Sequence, residues 1–511
     1  MAGKASEAVA QLLANYFSVP KSSVKLLRGQ SSRKSYSRLA NDTRGFETGV
    51  SGNSGCSSFV LLNARRVVGA RISTSVTSTF TPEPSQAPRV CAAAKIGLLE
   101  CFKTSKDKAL AKIETAQALD TPLSYWGRLA ANSSAHLTEH LFNGVIVVIL
   151  PLITSSLGLS LAQAGMLASA RTLLAGVASF PSGFFADLAR RRNLLLGLCI
   201  GMIGLSSFGL STVSSFPLLL IFMGLGGLGG GGFHPQSLAI LSARYGDRRA
   251  FALGVHDSSA NLGEVLGPLT IGLLLNFFDW RTTLQIWAIP GLAVGVMYAV
   301  FGSESLVASP RAHDYRRSLW EDVIKNKAVF ALVIVSTLRA MGQTALAVFL
   351  PLYLLLHLKL SASAAGAYMS ILFLFAGAAP ALVGWISDRF GHRLLIVVFS
   401  MVSVVAIVAI PYLGSGFVLA CGLAALGALL WALRPVIVSA AMEAAPQYLT
   451  GSIIAFIYGA NMGVSFLAPI FAGIVADAYG LPRALAFIAL FPFAASVLTL
   501  MLLRPAAVSH S

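Results

Sequence analysis

Leu137-Thr-Glu-His-Leu-Phe-Asn-Gly-Val-Ile-Val-Val-Ile-Leu-Pro-Leu-Ile-Thr-Ser-Ser-Leu157 reads as a membrane span. After one polar turn it stays apolar far longer than an ordinary strand, and about 20 helical residues rising ~1.5 Å each cross the ~30 Å of bilayer hydrocarbon. An unpartnered backbone group costs so much in lipid that a run of this length spans as a helix. Working outward, such runs recur at 161–186, 193–214, 217–243, 251–277, 284–302, 328–357, 362–386, 393–414, 416–441, 451–476 and 483–503. The expected fold is all-α, a polytopic membrane protein of twelve transmembrane helices. Glycines such as Gly224 to Gly232 break helices in water, but in lipid they let helices approach closely.

Composition agrees with this reading. The 511 residues are 55% hydrophobic and 12% charged, with a mean hydropathy of +0.73. A net charge of +17 would suggest nucleic acid on a soluble protein. Here much of the Lys and Arg lies in the amino-terminal region and in short loops, so charge reports topology and no nucleic-acid partner is expected. Cys56, Cys91, Cys101, Cys199 and Cys421 are scattered, with no disulfide framework or metal-ligand spacing.

Basic residues mark one side of the membrane. Arg190, Arg191 and Arg192 follow the second span, Arg244, Arg248 and Arg249 the fourth, and Arg389 and Arg393 the eighth; Arg311, Arg316, Arg317, Lys325 and Lys327 lie between the sixth and seventh. That side is cytoplasmic, and so are both termini.

The numbering hides a repeat. Pro151 in Ile-Leu-Pro-Leu matches Pro351 in Phe-Leu-Pro-Leu, and Pro235 after His234 matches Pro435 after Arg434, each 200 residues apart. Gly183-Phe-Phe-Ala-Asp187 with Gly384-Trp-Ile-Ser-Asp388, and Asn261-Leu-Gly263 with Asn461-Met-Gly463, keep that spacing within one residue. Four pairs in one order argue for a duplicated six-helix unit. The predicted halves are 127–302 and 328–504, pseudo-symmetric six-helix bundles joined by a cytoplasmic loop over 303–327 and followed by a tail over 505–511.

Gly384-Trp-Ile-Ser-Asp388-Arg389-Phe-Gly391-His392-Arg393 resembles the signature of the major facilitator superfamily. The first-half copy, Gly183-Phe-Phe-Ala-Asp187-Leu188-Ala-Arg190-Arg191-Arg192, departs at Leu188, usually basic, and Arg190, usually glycine. The resemblance implies a gating role for Gly183, Asp187, Arg191, Arg192, Gly384, Asp388, Arg389, Gly391 and Arg393, the carboxylates capping or pairing across the cytoplasmic seam in one conformation.

In the fifth span, Asn261-Leu-Gly263-Glu264-Val-Leu-Gly267-Pro268 followed by Gly272 resembles the glycine-proline motif of the superfamily's drug-proton antiporters. Small residues four apart make a groove for a neighbouring helix and proline bends it. With His136, Ile149-Leu150-Pro151-Leu152 and Gly231-Gly232-Phe233-His234-Pro235, the segment makes residues 130–504 most similar to fosmidomycin-resistance-type exporters. Where those place an acid in the first helix this chain has His140, with Glu139 before it. The arginine that many antiporters carry in the fourth helix is missing.

Ionisable groups at membrane depth cost at least about 2.5 kcal/mol on insertion scales, and so mark function. Glu139 and Asn143 share a helix face, and Arg339 and Gln343 repeat the arrangement 200 residues on. The two faces are expected to look into a central cavity, with Glu139 and Arg339 as a charge pair that substrate or proton disturbs. A permanent structural ion pair is the alternative. His234 and Arg434 form a second related couple, arginine suiting a carboxylate or phosphonate and histidine titrating near neutral pH. His256, Asp257, Asn261 and Glu264 are further pathway candidates.

No GxSxG, HExxH, CxxC or phosphate-cradling GKS/T motif occurs. The expected function is secondary active transport, as proton-coupled export of a small organic or drug-like molecule by a monomer using alternating access, with a small-molecule substrate, protons and the lipid bilayer as partners and no metal or cofactor. Uptake or uniport of a small organic anion is the alternative; an intramembrane enzyme or a receptor are the rivals of other classes. The protein is placed in a plasma or inner membrane.

Residues 3–39, with Val19-Pro20-Lys21-Ser22-Ser23-Val24 and Gly29-Gln-Ser31-Ser32-Arg33-Lys34, resemble the carboxy-terminal half of a YggU-type domain, so 1–40 is read as a partial copy. Residues 41–126, rich in Ser, Thr and Arg, are expected to be a disordered linker; if they are instead a transit segment, the membrane is an organelle's.

Overall fold

The computed structural model describes residues 122–188, 192–245, 248–301, 326–444 and 450–502, and three short strands nearer the amino terminus. Met1–Ser124 and Tyr125–Ser511 are separate compact units. In the first, β1 (Leu27–Arg28), β2 (Phe59–Val60) and β3 (Val76–Ser78) make an antiparallel sheet ordered β1-β3-β2. Thr77 of β3 pairs with both Leu27 and Val60. The YggU-type likeness, the linker over 41–126, the loop over 303–327 and the tail fall almost wholly outside the described residues.

Among the described residues, every regular element of the second unit is a helix. Its first half contains α1 (Pro122–Ser156), α2 (Leu161–Leu188), α3 (Arg192–Thr212), α4 (Phe216–Arg244), α5 (Arg249–Leu274) and α6 (Trp280–Phe301). The second contains α7 (Lys327–Leu352, widening to a π turn over Tyr353–His357), α8 (Ala362–Phe390), α9 (His392–Ala409), α10 (Phe417–Glu443), α11 (Thr450–Ser465 and Leu467–Tyr479) and α12 (Leu481–Leu502). Eleven of these are long and apolar enough to cross a membrane. The twelfth, α5, is interrupted by Asp257, Asn261 and Glu264.

Proline shapes the spans. Pro469 offers no N–H to the Ser465 carbonyl, and α11 breaks at Phe466, whose carbonyl accepts a 2.5 Å bond from Ser169 Oγ of α2. Pro435 likewise removes the donor for Trp431, and α10 loosens into a π turn over Gly427–Trp431. Helix starts are capped where the sequence offers an acceptor: Asn326 takes the amides of Ala328 and Val329, and Ser361 that of Ala364.

Packing repeats across the duplication. α3 lies on α6 and α9 on α12; α2 lies on α4 and α8 on α10; the halves meet through α2 with α11 and α5 with α8. An apolar core including Ile149, Ile153, Phe349 and Tyr353 spans both halves. Exposed Leu198, Val296, Val405 and Leu500 turn outward, as expected of a surface solvated by acyl chains.

The seam between halves is tight at the helix ends opposite the basic loops. A Cβ on Gly473 would lie 2.6 Å from the Leu161 carbonyl, and one on Gly272 2.8 Å from that of Ala362. Both carboxylate oxygens of Asp477 accept from the first amides of α2, at 2.7 Å from Leu161 and 2.9 Å from Ala162. The carboxylate of one half thus caps a helix of the other, on the side opposite the basic loops.

One boundary differs from expectation. α1 begins at Pro122, well before the predicted 137. Its added turns carry polar groups, and tertiary bonds tie them down: Ser237 Oγ donates to Asn132 Oδ1 at 2.6 Å, and Tyr245 Oη to the Tyr125 carbonyl at 2.9 Å. Hydropathy cannot register partners that come from another helix.

Candidate functional site

The first half carries a buried knot of ionisable side chains where α1, α4 and α5 meet. Helical spacing places Glu139 and Asn143 on one face, and Asn143 Nδ2 donates to Glu139 Oε1 at 3.0 Å. Arg171 of α2 donates to Asn143 Oδ1. Gly230 of α4 leaves room for the carboxylate, since a Cβ there would sit 2.8 Å from Glu139 Oε1. The other oxygen, Oε2, lies 3.2 Å from His140 Nε2 and 3.7 Å from His234 Nε2. His140 Nδ1 reaches Glu264 Oε1 of α5 at 3.0 Å, so one imidazole stands between two carboxylates.

Behind it, His136 stacks on His256 with centroids 3.7 Å apart and makes a 2.8 Å bond through Nδ1 to the His256 carbonyl. His256 Nε2 contacts Ser237 Oγ at 3.2 Å, which bonds onward to Asn132. α5 reaches α1 because Gly263 and Gly267 carry no side chain: a Cβ would lie 2.5 Å from the Leu137 carbonyl or 2.6 Å from that of Leu141.

Two cavities adjoin the knot. One of about 190 Å³ is lined by Glu139, Asn143, Arg171, His234 and Met462. The other, about 230 Å³, runs between the halves, with Asn143, Arg171 and Glu264 on one wall and Gln343, Phe373 and Trp431 on the other. Arg339 is buried, donating to Gln343 and to the Leu430 carbonyl. Arg434 is exposed, within electrostatic reach of His140, His234 and Asp257, and among the described residues it has no hydrogen-bond or ion-pair partner.

The halves therefore differ from expectation in one respect. Both (i, i+4) pairs form, but no ion pair joins Glu139 to Arg339 among the described residues. Histidines from its own half surround Glu139, and Arg339 is held within the other. The structure also brings together a group that spacing along the chain did not show, His136, Glu139, His140 and His234, whose donor atoms lie within 4.8 Å of one another. Sequence spacing missed it because α4 supplies the last member. Arg171 was missed too, although an arginine inside a span is itself a signal.

The model of the Major Facilitator Superfamily matches residues 133–469. The chain belongs to the major facilitator superfamily. It is 26% identical over 365 residues to the uncharacterized MFS-type transporter YfnC of Bacillus subtilis, covering 70% of this chain and 88% of that protein. It is 25% identical over 276 residues to the fosmidomycin resistance protein of Escherichia coli, covering 53% and 67%. The structure resembles an inward-facing, occupied bacterial homologue of the human lysosomal transporter Spinster at TM-score 0.65 and 17% identity, covering 75% of this chain and 97% of that one. The protein is an integral membrane transporter.

Of the superfamily signature, the second copy is described. Gly391 ends α8 at φ 88°, a conformation open to glycine, and turns the chain into α9. His392 joins Ser387 at 2.6 Å and Glu443 at 2.9 Å, Arg393 donates to the Leu500 carbonyl, and Arg389 lies over Trp385. Asp388 is exposed without a partner among the described residues, and a Cβ on Gly384 would meet nothing within 4 Å. Among the described residues, then, Asp388 has no bonding partner in this conformation, whereas His392 and Arg393 are held by α10 and α12. In the first copy Arg191 lies outside the described residues, and Gly183, Asp187 and Arg192 are placed only as helix backbone.

Proposed function

We propose that the protein is a proton-coupled exporter of a small organic anion or drug-like molecule, working by alternating access in a plasma or inner membrane. The exposed guanidinium of Arg434 carries this reading: a permanent cation without a partner among the described residues, within electrostatic reach of His140, His234 and Asp257, asks for an anionic group from the cargo. Across from it, Glu139, His140 and Glu264 form the ionisable element that cargo and proton would use in turn. The tight seam opposite the basic loops and the lack of a partner for Asp388 among the described residues fit a conformation loading from the cytoplasm. Likeness to the fosmidomycin resistance protein supports export. Inside-out vesicles tested with fosmidomycin and a panel of carboxylates and phosphate esters, with and without a proton gradient, decide it. Gradient-driven accumulation lost in Arg434→Ala is expected, and flux indifferent to the gradient removes the antiport.

A further inference from the structure

We propose that His136, Glu139, His140 and His234 form a binding site for one divalent first-row transition-metal ion, of the Zn²⁺ class. The site shares Glu139 and His140 with the ionisable element proposed above, where ion and proton would compete, but it stands whatever the organic cargo is. His136 and His140 are four apart on one face of α1, the spacing by which a helix presents two imidazoles to a metal; Glu139 lies between them and α4 brings His234.

The hydrogen bonds decide which atoms are free. A carbonyl only accepts, so His136 Nδ1 must carry its proton toward the His256 carbonyl, which leaves a lone pair on Nε2. That Nε2 is buried and has no hydrogen-bond partner among the described residues, nor has Glu139 Oε2. His140 donates through Nδ1 to the Glu264 carboxylate, which turns a second lone pair, on Nε2, toward Glu139 Oε2 at 3.2 Å. Facing acceptors repel unless something positive lies between them. An extra proton on His140 would satisfy Oε2 yet leave His136 Nε2 orphaned, whereas a metal ion satisfies both.

The dimensions fit. Tetrahedral ligands at 2.0–2.1 Å from zinc are roughly 3.3 Å apart; Oε2 is already 3.2 Å from one imidazole nitrogen and 3.7 Å from another, and the set spans 4.8 Å at most. Carboxylate or carbonyl partners on the far nitrogens of His140 and His136 are the outer shell that holds such ligands in their binding tautomer. Three imidazoles and one carboxylate select a borderline-soft ion over Mg²⁺ or Ca²⁺. His234, with 34% of its side chain exposed, gives an entry from the cavity. Nor does the repeat demand this cluster, for the related positions in the second half are Ser336, Arg339, Ala340 and Arg434.

The test is Zn²⁺ titration of the full chain, purified without a histidine tag, followed by X-ray absorption of the complex. One saturable Zn²⁺ per chain with a first shell of N and O donors is expected. His234→Gln, on the cavity wall, should lose that binding even if His136→Gln fails to fold. Glu264→Ala should weaken it roughly 10- to 100-fold, and His392→Gln, outside the cluster, should leave it intact. No saturable binding to the folded parent, or equal binding by His234→Gln, overturns the proposal.

Discussion

Asp477→Ala should open the non-cytoplasmic seam. In the present conformation its two oxygens take the amides of Leu161 and Ala162 across the halves. Once the outer ends of α2 and α11 separate, those bonds cannot form, so their loss falls on the equilibrium between the two conformations. Removing a helix cap costs about 0.5–2 kcal/mol; at RT ≈ 0.6 kcal/mol this is roughly a 2- to 30-fold rise in the outward-open fraction. Asp477→Asn, which keeps one carbonyl acceptor, should fall between. Val147 lines the inter-half cavity, so Val147→Cys in a background lacking the five native cysteines reports opening through its labelling by an impermeant maleimide from outside. Labelling should quicken by that factor in Asp477→Ala. A rate equal to the parent's would refute the claim that this cap holds the seam.

Asp388→Asn should act in the opposite sense. On the gating role that the signature implies, its contact forms in the other conformation, so its loss should favour this one by about 0.3–1 kcal/mol, roughly two- to fivefold slower Val147→Cys labelling with insertion unchanged. Gly231→Ala should lower the thermal midpoint in detergent, since its Cβ would overlap the Ala175 carbonyl at an overpacking cost of about 1–3 kcal/mol. Gly254→Ala, with no atom within 4 Å, should not. Arg434→Ala should insert normally yet lose saturable binding of anionic cargo in equilibrium dialysis, and Arg434→Lys should recover part of it.

The spans and the duplication were legible because lipid imposes its length rule on each helix separately. The (i, i+4) pairs Glu139–Asn143 and Arg339–Gln343 were legible for the same reason: one helix contains both members. What depended on two helices was not. The early start of α1 rests on Ser237 and Tyr245, more than a hundred residues away. The expected Glu139–Arg339 pair followed from symmetry, but symmetry relates positions without making them touch, and His140 and His234 reach the carboxylate first. His136 was visible only as part of a family likeness, since its role depends on the His256 carbonyl that fixes its tautomer.

Coupled transport itself is tested most directly in proteoliposomes of the purified chain enclosing a pH-sensitive dye, to which fosmidomycin or another anion from the panel is added on the cytoplasmic face. Protons moving opposite to the anion, with both movements lost in Arg434→Ala and the proton movement lost in Glu139→Gln, are the predicted result. Anion flux with no proton movement, or proton movement unchanged in Glu139→Gln, would contradict the account.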